Sequence, residues 1–525
     1  MYQVEQTMFR PISILLFVAL FFSALLLTTR GNANPAKNTF YVALNGSDSN
    51  PGTFDKPWAT INHAAEALKA GETLYLRGGT YRISQQIRSK NSGTEKAWIV
   101  YSSYPGEQAI IDAQDVKVGP PVGNPPFPHD QGAFQIERVS YTRIKNLELN
   151  NSHSAGFTVR DSHHIELYNN TAKTTYSSGI AVWCGNQEGQ GCEHNKVIGN
   201  TIVKANTYDM IMPGFERGEE TPHEALSIGD IHYFEVAYNH IYDCDKEGID
   251  VKGSSKHGTV HHNYIHNLAR QGLYVDNWGA PLEDIELYEN VVHDSKGAGI
   301  AISVEDGKLT NDIKIHHNLI YNNLGTGIFF SRWGGDGFRK NIKVYNNTIH
   351  HNGYGKPKPE ETYYWITGGV YLFSDNLQDV DIVNNIISEN MGFQIGYNDS
   401  YLKNNKDINS VFKTKNINIA HNLIFDTNNI KYPIYVGWPP DNYANVYSTK
   451  GSNFVENPPL FVDPQSGNFY LSSNSPAIDK GSPESTSNDA NRTRNDIGAF
   501  SYGAEQNFWW KTNFPPRFDV GTSKK

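Results

Sequence analysis

Residues Glu247 to Gly279 read EGIDVKGSSKHGTVHHNYIHNLARQGLYVDNWG, and two segments within them, GIDV and GLYV, open on glycine and then alternate apolar and polar residues. Between them, GTVHHNYIH alternates in the same way before an asparagine, Asn263. A period of two is that of a β-strand with one buried face. Strands this short cannot bury that face alone, so the fold depends on what they stack against.

The same units recur along the chain. From about residue 140, IELYNNTA, NKVIGNTIV, FEVAYNHIY, GTVHHNYIH, IELYENVVH, IKIHHNLIY, IKVYNNTIH, VDIVNNIIS and INIAHNLIF share one pattern. Their matching asparagines are Asn170, Asn200, Asn239, Asn263, Asn290, Asn318, Asn347, Asn385 and Asn422, spaced by 24 to 39 residues. Glycine-led strands alternate with them: GFTV, GIAV, GIDV, GLYV, GIAI, GIFF and GVYL. Two short strands per repeat, with Asn- and Gly-rich turns, predict coils that share one continuous core, an all-β right-handed parallel β-helix. The asparagines are expected to stack as an internal ladder at the inter-strand spacing of ~4.8 Å. Variable spacing then measures loop insertions, which gather on the binding face of a solenoid.

The rest of the chain is read around this solenoid. Arg10 precedes the apolar run from Ile12 to Leu27, and small residues follow up to Ala33. That pattern predicts a secretory signal over residues 1–33, with Met8 as an alternative start, and a secreted or periplasmic protein free of the membrane after cleavage. No cysteine follows the run, which argues against lipid attachment. Residues 34–455 are expected to form the β-helix with an N-terminal cap, including a helix over Thr60–Ala70 that covers the open end of the stack. Residues 456–503 form a closing segment and 504–525 a tail. Cys184 and Cys192 share one loop and can pair, leaving Cys244 buried and unpaired. A formal charge of −10 without a basic run excludes nucleic acid as a partner. The expected form is a monomer acting on an oligo- or polysaccharide.

Aligning the strands on their glycines places candidate chemistry. One outward column reads Thr158, Ala181, Asp250, Tyr274, Ala301, Phe329, Tyr371, and the next reads Arg160, Trp183, Lys252, Asp276, Ser303, Ser331, Phe373. Lys252 and Asp276 are therefore neighbours on adjacent rungs, as are Asp250 and Tyr274, with Glu305 and Arg332 just past their strands. Trp278, Trp333, Trp365 and Trp438 fall in nearby loops, where flat rings suit sugars. Cleavage of a glycosidic bond needs two carboxyl groups ~5–5.5 Å or ~6.5–9.5 Å apart, distances that neighbouring rungs supply. Asp276, Glu305, Asp250 and Lys252 are the predicted catalytic group. Trp278, Trp333, Arg332 and Tyr274 are predicted to hold substrate, and no cofactor is expected. The histidines of VHHN and IHHN, His261, His262, His316 and His317, are expected on the strand surface, and GFERGEE from Gly214 to Glu220 as an acidic loop walling the groove.

The stretch YVALNGSDSNPGTFDKPWATINHAAEALKAGETLYLRGGTYR, and the later NPPLFVDPQSGNFYLSSNSPAIDKGS with NDIGAFSYG, resemble the ends of secreted right-handed β-helix proteins of the polysaccharide lyase and glycoside hydrolase type. GLYVDNWG resembles the active-site strand of β-helix glycosidases of the lacto-N-biosidase and β-xylosidase type. That resemblance implies Asp276 as nucleophile or base, partnered by Glu305, Glu283 or Asp284, while the rung spacing also leaves Asp250 open as the second carboxyl. DKEGIDVK resembles the alginate and chondroitin lyase group, which implies Lys252 as base and Ca²⁺ on Asp245 and Glu247. The lyase pattern has an Arg on the next rung, where this chain has Asp276. A carbohydrate-binding solenoid without catalysis is the third reading.

Overall fold

From Asn170 onward, successive coils turn at an asparagine whose side chain is bonded to the neighbouring coils. In the computed structural model, Asn263 Nδ2 donates to Asn290 Oδ1 at 2.9 Å, Asn290 to Asn318 at 3.0 Å, and Asn318 to Asn347 at 2.9 Å. The ladder runs on from Asn170 through Asn200 and Asn239 below, and through Asn385 and Asn422 to Asn453 above. Each amide also takes up backbone groups: Asn263 Nδ2 reaches Val236 O at 3.0 Å, while the Asn263 N–H donates to Asn290 Oδ1 at 3.1 Å. The residue before the ladder position is left-handed on successive rungs: Tyr238, His262, Glu289 and His317 have φ of 56°, 51°, 51° and 54°. Such backbone is unfavourable outside glycine. The ladder bonds offset that cost, because this turn is the one that lets the amide point into the stack.

The structure describes residues 38–117, 131–186, 189–211, 221–355, 367–398, 408–427, 434–436, 446–447, 452–455, 457–483, 493–511 and 514–518. A compact unit spans Phe40 to Lys525. Among the described residues, the strands form three long sheets of 13, 12 and 13 strands, visited in that order within each coil and parallel except for Val446–Tyr447, which pairs antiparallel at the end of the third. The expectation of two strands per repeat is corrected here. The residues after each asparagine, such as Tyr264–His266 and Val291–His293, are a sheet of their own. At three residues they are too short to show a period of two, which is why the pattern hid them. A second ladder, Asn323 to Asn352 to Asn390 to Gln394, turns the next corner.

Among the described residues, two α-helices cover the core. The first, α1, spans Ile61–Ala67, is N-capped by Thr60 and buries Ile61, Ala64 and Ala65. It stops short of the expected Ala70 because Leu68 leaves helical backbone. The second, α2 over Ile408–Lys415, buries Val411 and Phe412 and was not expected. Cys184 and Cys192 form the disulfide, while Cys244 is buried, with burial pushing its thiol up to about 12.

Among the described residues, the C-terminal segment packs along the side of the solenoid. A hairpin of Phe461–Asp463 and Asn468–Leu471 packs Phe469 on Tyr321 and sets Leu471 in a cluster with Ile386 and Leu423. The chain then returns along the solenoid, placing Trp509 against His262 and Phe518 against Tyr168 and Tyr238. Outward apolar residues of the short second sheet, Val291 and Leu319 among them, make this cover necessary.

Replacing Asn290 by Ala would leave the Val260 carbonyl and Asn263 amide without their partner. Urea denaturation is expected to show a loss of about 1–3 kcal/mol. Lys343→Ala, at an exposed strand site, should stay within ~0.5 kcal/mol.

Candidate active site

The site is built on the third sheet by strands β1 (Leu226–Gly229), β2 (Ile249–Lys252), β3 (Leu273–Asn277), β4 (Ile300–Val304) and β5 (Ile328–Phe330). Parallel pairing aligns Ser227, Asp250, Tyr274, Ala301 and Phe329 in one column, and Gly229, Lys252, Asp276 and Ser303 in the next. The columns are those expected, except for β1. Its strand starts after Ala225 instead of glycine, so the glycine alignment passes over it. Gly229 has a clear reason to be glycine: a Cβ there would lie 2.3 Å from the Trp183 ring, which leans over toward Lys252.

These side chains point away from the coil core, yet they are not solvated. Asp250 is 0% and Asp276 3% exposed. The segment after residue 220 brings Glu224 over β1 and β2, and Trp278 folds back so that its Nε1 donates to Asp276 Oδ2 at 2.5 Å. Asn277 anchors both flanking loops, donating to Gly253 O and Ala280 O while its own carbonyl takes the N–H of Glu305. Glu305 is held by the Tyr274 hydroxyl, which donates to its Oε1. The loop bearing Arg332 and Trp333 is fixed by fully buried Arg339, bonded to Asp336, Ser374 and the carbonyls of Ser331 and Gly337.

Charge is the organising quantity. Lys252 Nζ lies 2.7 Å from Glu224 Oε1 and 2.8 Å from Asp250 Oδ2. Burial alone would lower the Lys252 pKa, but Asp250, Glu224 and Asp276 outweigh it and hold the ammonium well above the ordinary lysine range. Burial raises Glu224 too, but Lys252, Lys246 and His223 overcome it and keep that carboxylate ionised. Asp250 is pushed up instead, by burial and by Glu224 and Asp276, against the pull of Lys252. Asp276 is raised to about 8 by burial and then by Glu305, and its Oδ1 has no hydrogen-bond partner. Glu305 is raised by burial, opposed by the Tyr274 hydrogen bond. Near neutral pH the arrangement therefore keeps a proton on Asp276 beside a second carboxyl, with an ammonium that cannot give up its own.

Several expectations are corrected. Tyr274 is buried with its hydroxyl on Glu305, so it orients a carboxyl instead of presenting a ring to substrate. Glu283 and Asp284 belong to a strand of the first sheet and pair with Lys256 and His257, away from Asp276. Asp245 neighbours Thr207 and Asp209, whereas Glu247 is joined to Arg270. Among the described residues, the one set of three His, Cys, Asp or Glu ligand atoms close enough for a metal is Asp161 with Cys184 and Cys192, whose sulfurs form the disulfide. His261, His262, His316 and His317 make ring stacks and carboxylate contacts, such as His261 on Tyr288 and His262 Nε2 to Glu289 at 2.6 Å. Trp365, Trp438 and the loop 214–220 lie outside the described residues. Glu224 was missed, since a lone Glu ahead of a strand without its leading glycine carries no pattern.

Known proteins share this architecture. The family described as "Right handed beta helix region" matches residues 132–313 and 307–408, more than half of the chain. The chain belongs to the right-handed β-helix family. A second family, "Pel9A-like, right handed beta helix region", matches residues 40–222. Pectate lyase PEL9 of Emericella nidulans is 33% identical over 159 residues, 30% of this chain and 37% of that protein. The uncharacterized protein YwoF of Bacillus subtilis is 26% identical over 54% of this chain and 62% of its own length. The chain thus spans less than two thirds of either relative. Among solved structures, pectate lyase Pel9A aligns with a TM-score of 0.48 at 17% identity, over 89% of this chain and 97% of that one. Among the described residues no helix is long and apolar enough to cross a membrane, and residues 12–27 lie outside them.

The raised Asp276 pKa makes a prediction that needs no substrate. Its folded-state value near 8 exceeds the ordinary 3.8, so between those pH values the folded state binds the extra proton. Stability therefore falls as pH rises through that window, by up to about 1.4 kcal/mol per pH unit. Asp276→Asn removes this dependence: its Tm should exceed that of the wild type by a margin that widens from pH 5 to pH 8.

Proposed function

We propose that this protein is an exported glycoside hydrolase acting on an oligo- or polysaccharide, with Asp276 as general acid and Glu305 as its ionised partner. The observation that carries the reading is the burial of Asp276 beside Glu305, which raises its carboxyl to about 8, next to a lysine held between Glu224 and Asp250. A carboxylic acid with its pKa near the working pH suits proton transfer to a leaving oxygen. In this mechanism the glycosidic C–O bond breaks as Asp276 gives its proton to the departing sugar oxygen. Glu305 either attacks the anomeric carbon or takes a proton from the attacking water. Tyr274 holds Glu305 in place and favours its charged form. Lys252 keeps Glu224 and Asp250 from adding two full negative charges to the site. Reaching Asp276 requires Trp278, itself 46% exposed, to move off it and offer its ring to a sugar.

The second reading, a Ca²⁺-dependent polysaccharide lyase with Lys252 as base, is favoured by the likeness to Pel9A-type proteins. Two observations oppose it. A base must be neutral, and the Lys252 ammonium is gripped by the Glu224 carboxylate and the Asp250 carboxyl. The Pel9A-like match also ends at residue 222, before every residue of the cluster.

Incubation with a glycan panel separates the readings. Hydrolysis releases reducing ends without the ultraviolet absorbance of unsaturated uronates, survives a calcium chelator, and falls on the order of 10²–10⁴-fold in kcat for Asp276→Asn and Glu305→Gln. Unsaturated products lost on chelation, with Lys252→Ala the most damaging change, would instead establish the lyase.

A further inference from the structure

The returning C-terminal chain leaves a chamber on a part of the solenoid that the third sheet and Asp276 do not touch. The residues that precede the asparagine ladder form a column along the corner between the first and second sheets, and the returning chain grips that column at both ends. Asn169 exchanges hydrogen bonds with the Phe518 backbone at 3.0 and 3.2 Å. Tyr238 and His262 pack on Trp509. Further up, Asn346 Nδ2 donates to Asp496 O at 3.0 Å, and Asn384 Oδ1 accepts the Ser482 N–H at 2.7 Å. Between these holds, at the rungs of Glu289 and His317, the contact opens into a cavity of about 170 Å³. Trp509, Trp510, Tyr470 and Phe500 wall it from the C-terminal side, and Glu289 and His317 from the solenoid side.

Three polar atoms of these lining residues bond to no described residue. Glu289 engages His262 Nε2 through Oε2 at 2.6 Å, a bond that holds its carboxyl below the usual range, and Oε1 is left open. His317 is bonded through Nδ1 to His316 Nδ1 at 2.8 Å, and burial lowers its pKa to about 4, so its open Nε2 belongs to a neutral ring near pH 7. Trp510 is 3% exposed, yet its indole N–H has no acceptor among the described residues. From this lining we infer that the chamber is a carbohydrate-binding site, separate from the Asp276 cluster, that takes a single sugar ring. The inference goes beyond the hydrolase reading and does not depend on it. The cavity is smaller than the ~300–1,000 Å³ of clefts that take drug-sized ligands, which suits one ring. Its aromatic walls offer apolar surface to the C–H face of a sugar. The Glu289 oxygen needs a donor and the Trp510 N–H an acceptor, and a hydroxyl is both. A hydrocarbon would leave both groups unpaired, and an alkylammonium would bring no acceptor. A glycan held here is tethered without occupying Asp276, which raises the effective concentration of its other units at the protein.

The test is an NMR titration of the ¹⁵N-labelled full chain with methyl glycosides of hexoses, pentoses and N-acetylhexosamines, followed through the indole N–H signals. The Trp510 and Trp278 signals are assigned by their loss in Trp510→Phe and Trp278→Phe. At least one glycoside is expected to shift the Trp510 signal saturably, with Glu289→Gln weakening that binding by ~10-fold or more. Asp276→Asn should leave the Trp510 titration unchanged. Because no turnover is read, the result stands whether or not Asp276 hydrolyses a glycosidic bond. A shift of Trp278 without one of Trp510 confines sugar binding to the Asp276 cluster and overturns the inference. So does a Trp510 response that Glu289→Gln leaves unaltered, a response to methylammonium in place of the glycosides, or no response at all.

Discussion

The parallel stacking of coils through the asparagine ladder is the constraint from which the rest of the molecule follows. One amide per coil satisfies the backbone at its own turn and bonds to its equivalent one rung on, from Asn170 to Asn453. Any slip in register would break these bonds and turn an alternating strand inside out. Because the register cannot slip, Lys252 is held beside Asp276 and Asp250 beside Tyr274. Side chains from residues some 25 apart in sequence are thereby fixed one strand spacing apart, without a cofactor or flexible loop to gather them. A rigid solenoid suits acid/base chemistry, which needs its groups preorganised.

On that frame the molecule carries an electrostatic cost. Carboxyl groups are expensive to bury, and this site buries several around one fully paired ammonium. The result is a division of protonation: Glu224 is held charged by Lys252, Asp276 is pushed toward keeping its proton, and Glu305 is steadied by Tyr274. Groups with displaced pKa values gather at functional sites because the displacement is what makes them reactive. The grip of Glu224 and Asp250 on Lys252 holds that side chain as an ammonium.

Much of this was legible in the sequence. The fold followed from the Asn and Gly phases, since period-two strands and stacked turn residues are local signals that repeat. The columns through Asp250, Lys252, Tyr274 and Asp276 followed from the same phase. What the phase could not supply was whatever lies across the sheet from another part of the chain. Glu224 enters from a segment of no regular pattern, and Trp278 folds back onto its own strand, so outward residues expected in solvent are buried. The three-residue second sheet and the C-terminal segment laid along it were hidden for a related reason: their apolar residues make long-range contacts that no local period records.

The central claim is that Asp276 holds a proton at neutral pH because of burial and its acidic neighbours. Its most direct test is a ¹³C NMR titration of side-chain carboxyls in the intact protein, with the Asp276 signal assigned by its loss in Asp276→Asn. The account predicts an apparent midpoint near 8 for that carboxyl. A midpoint in the ordinary aspartate range, ~4, would contradict it and leave the cluster as a set of ion pairs without an acid to spend.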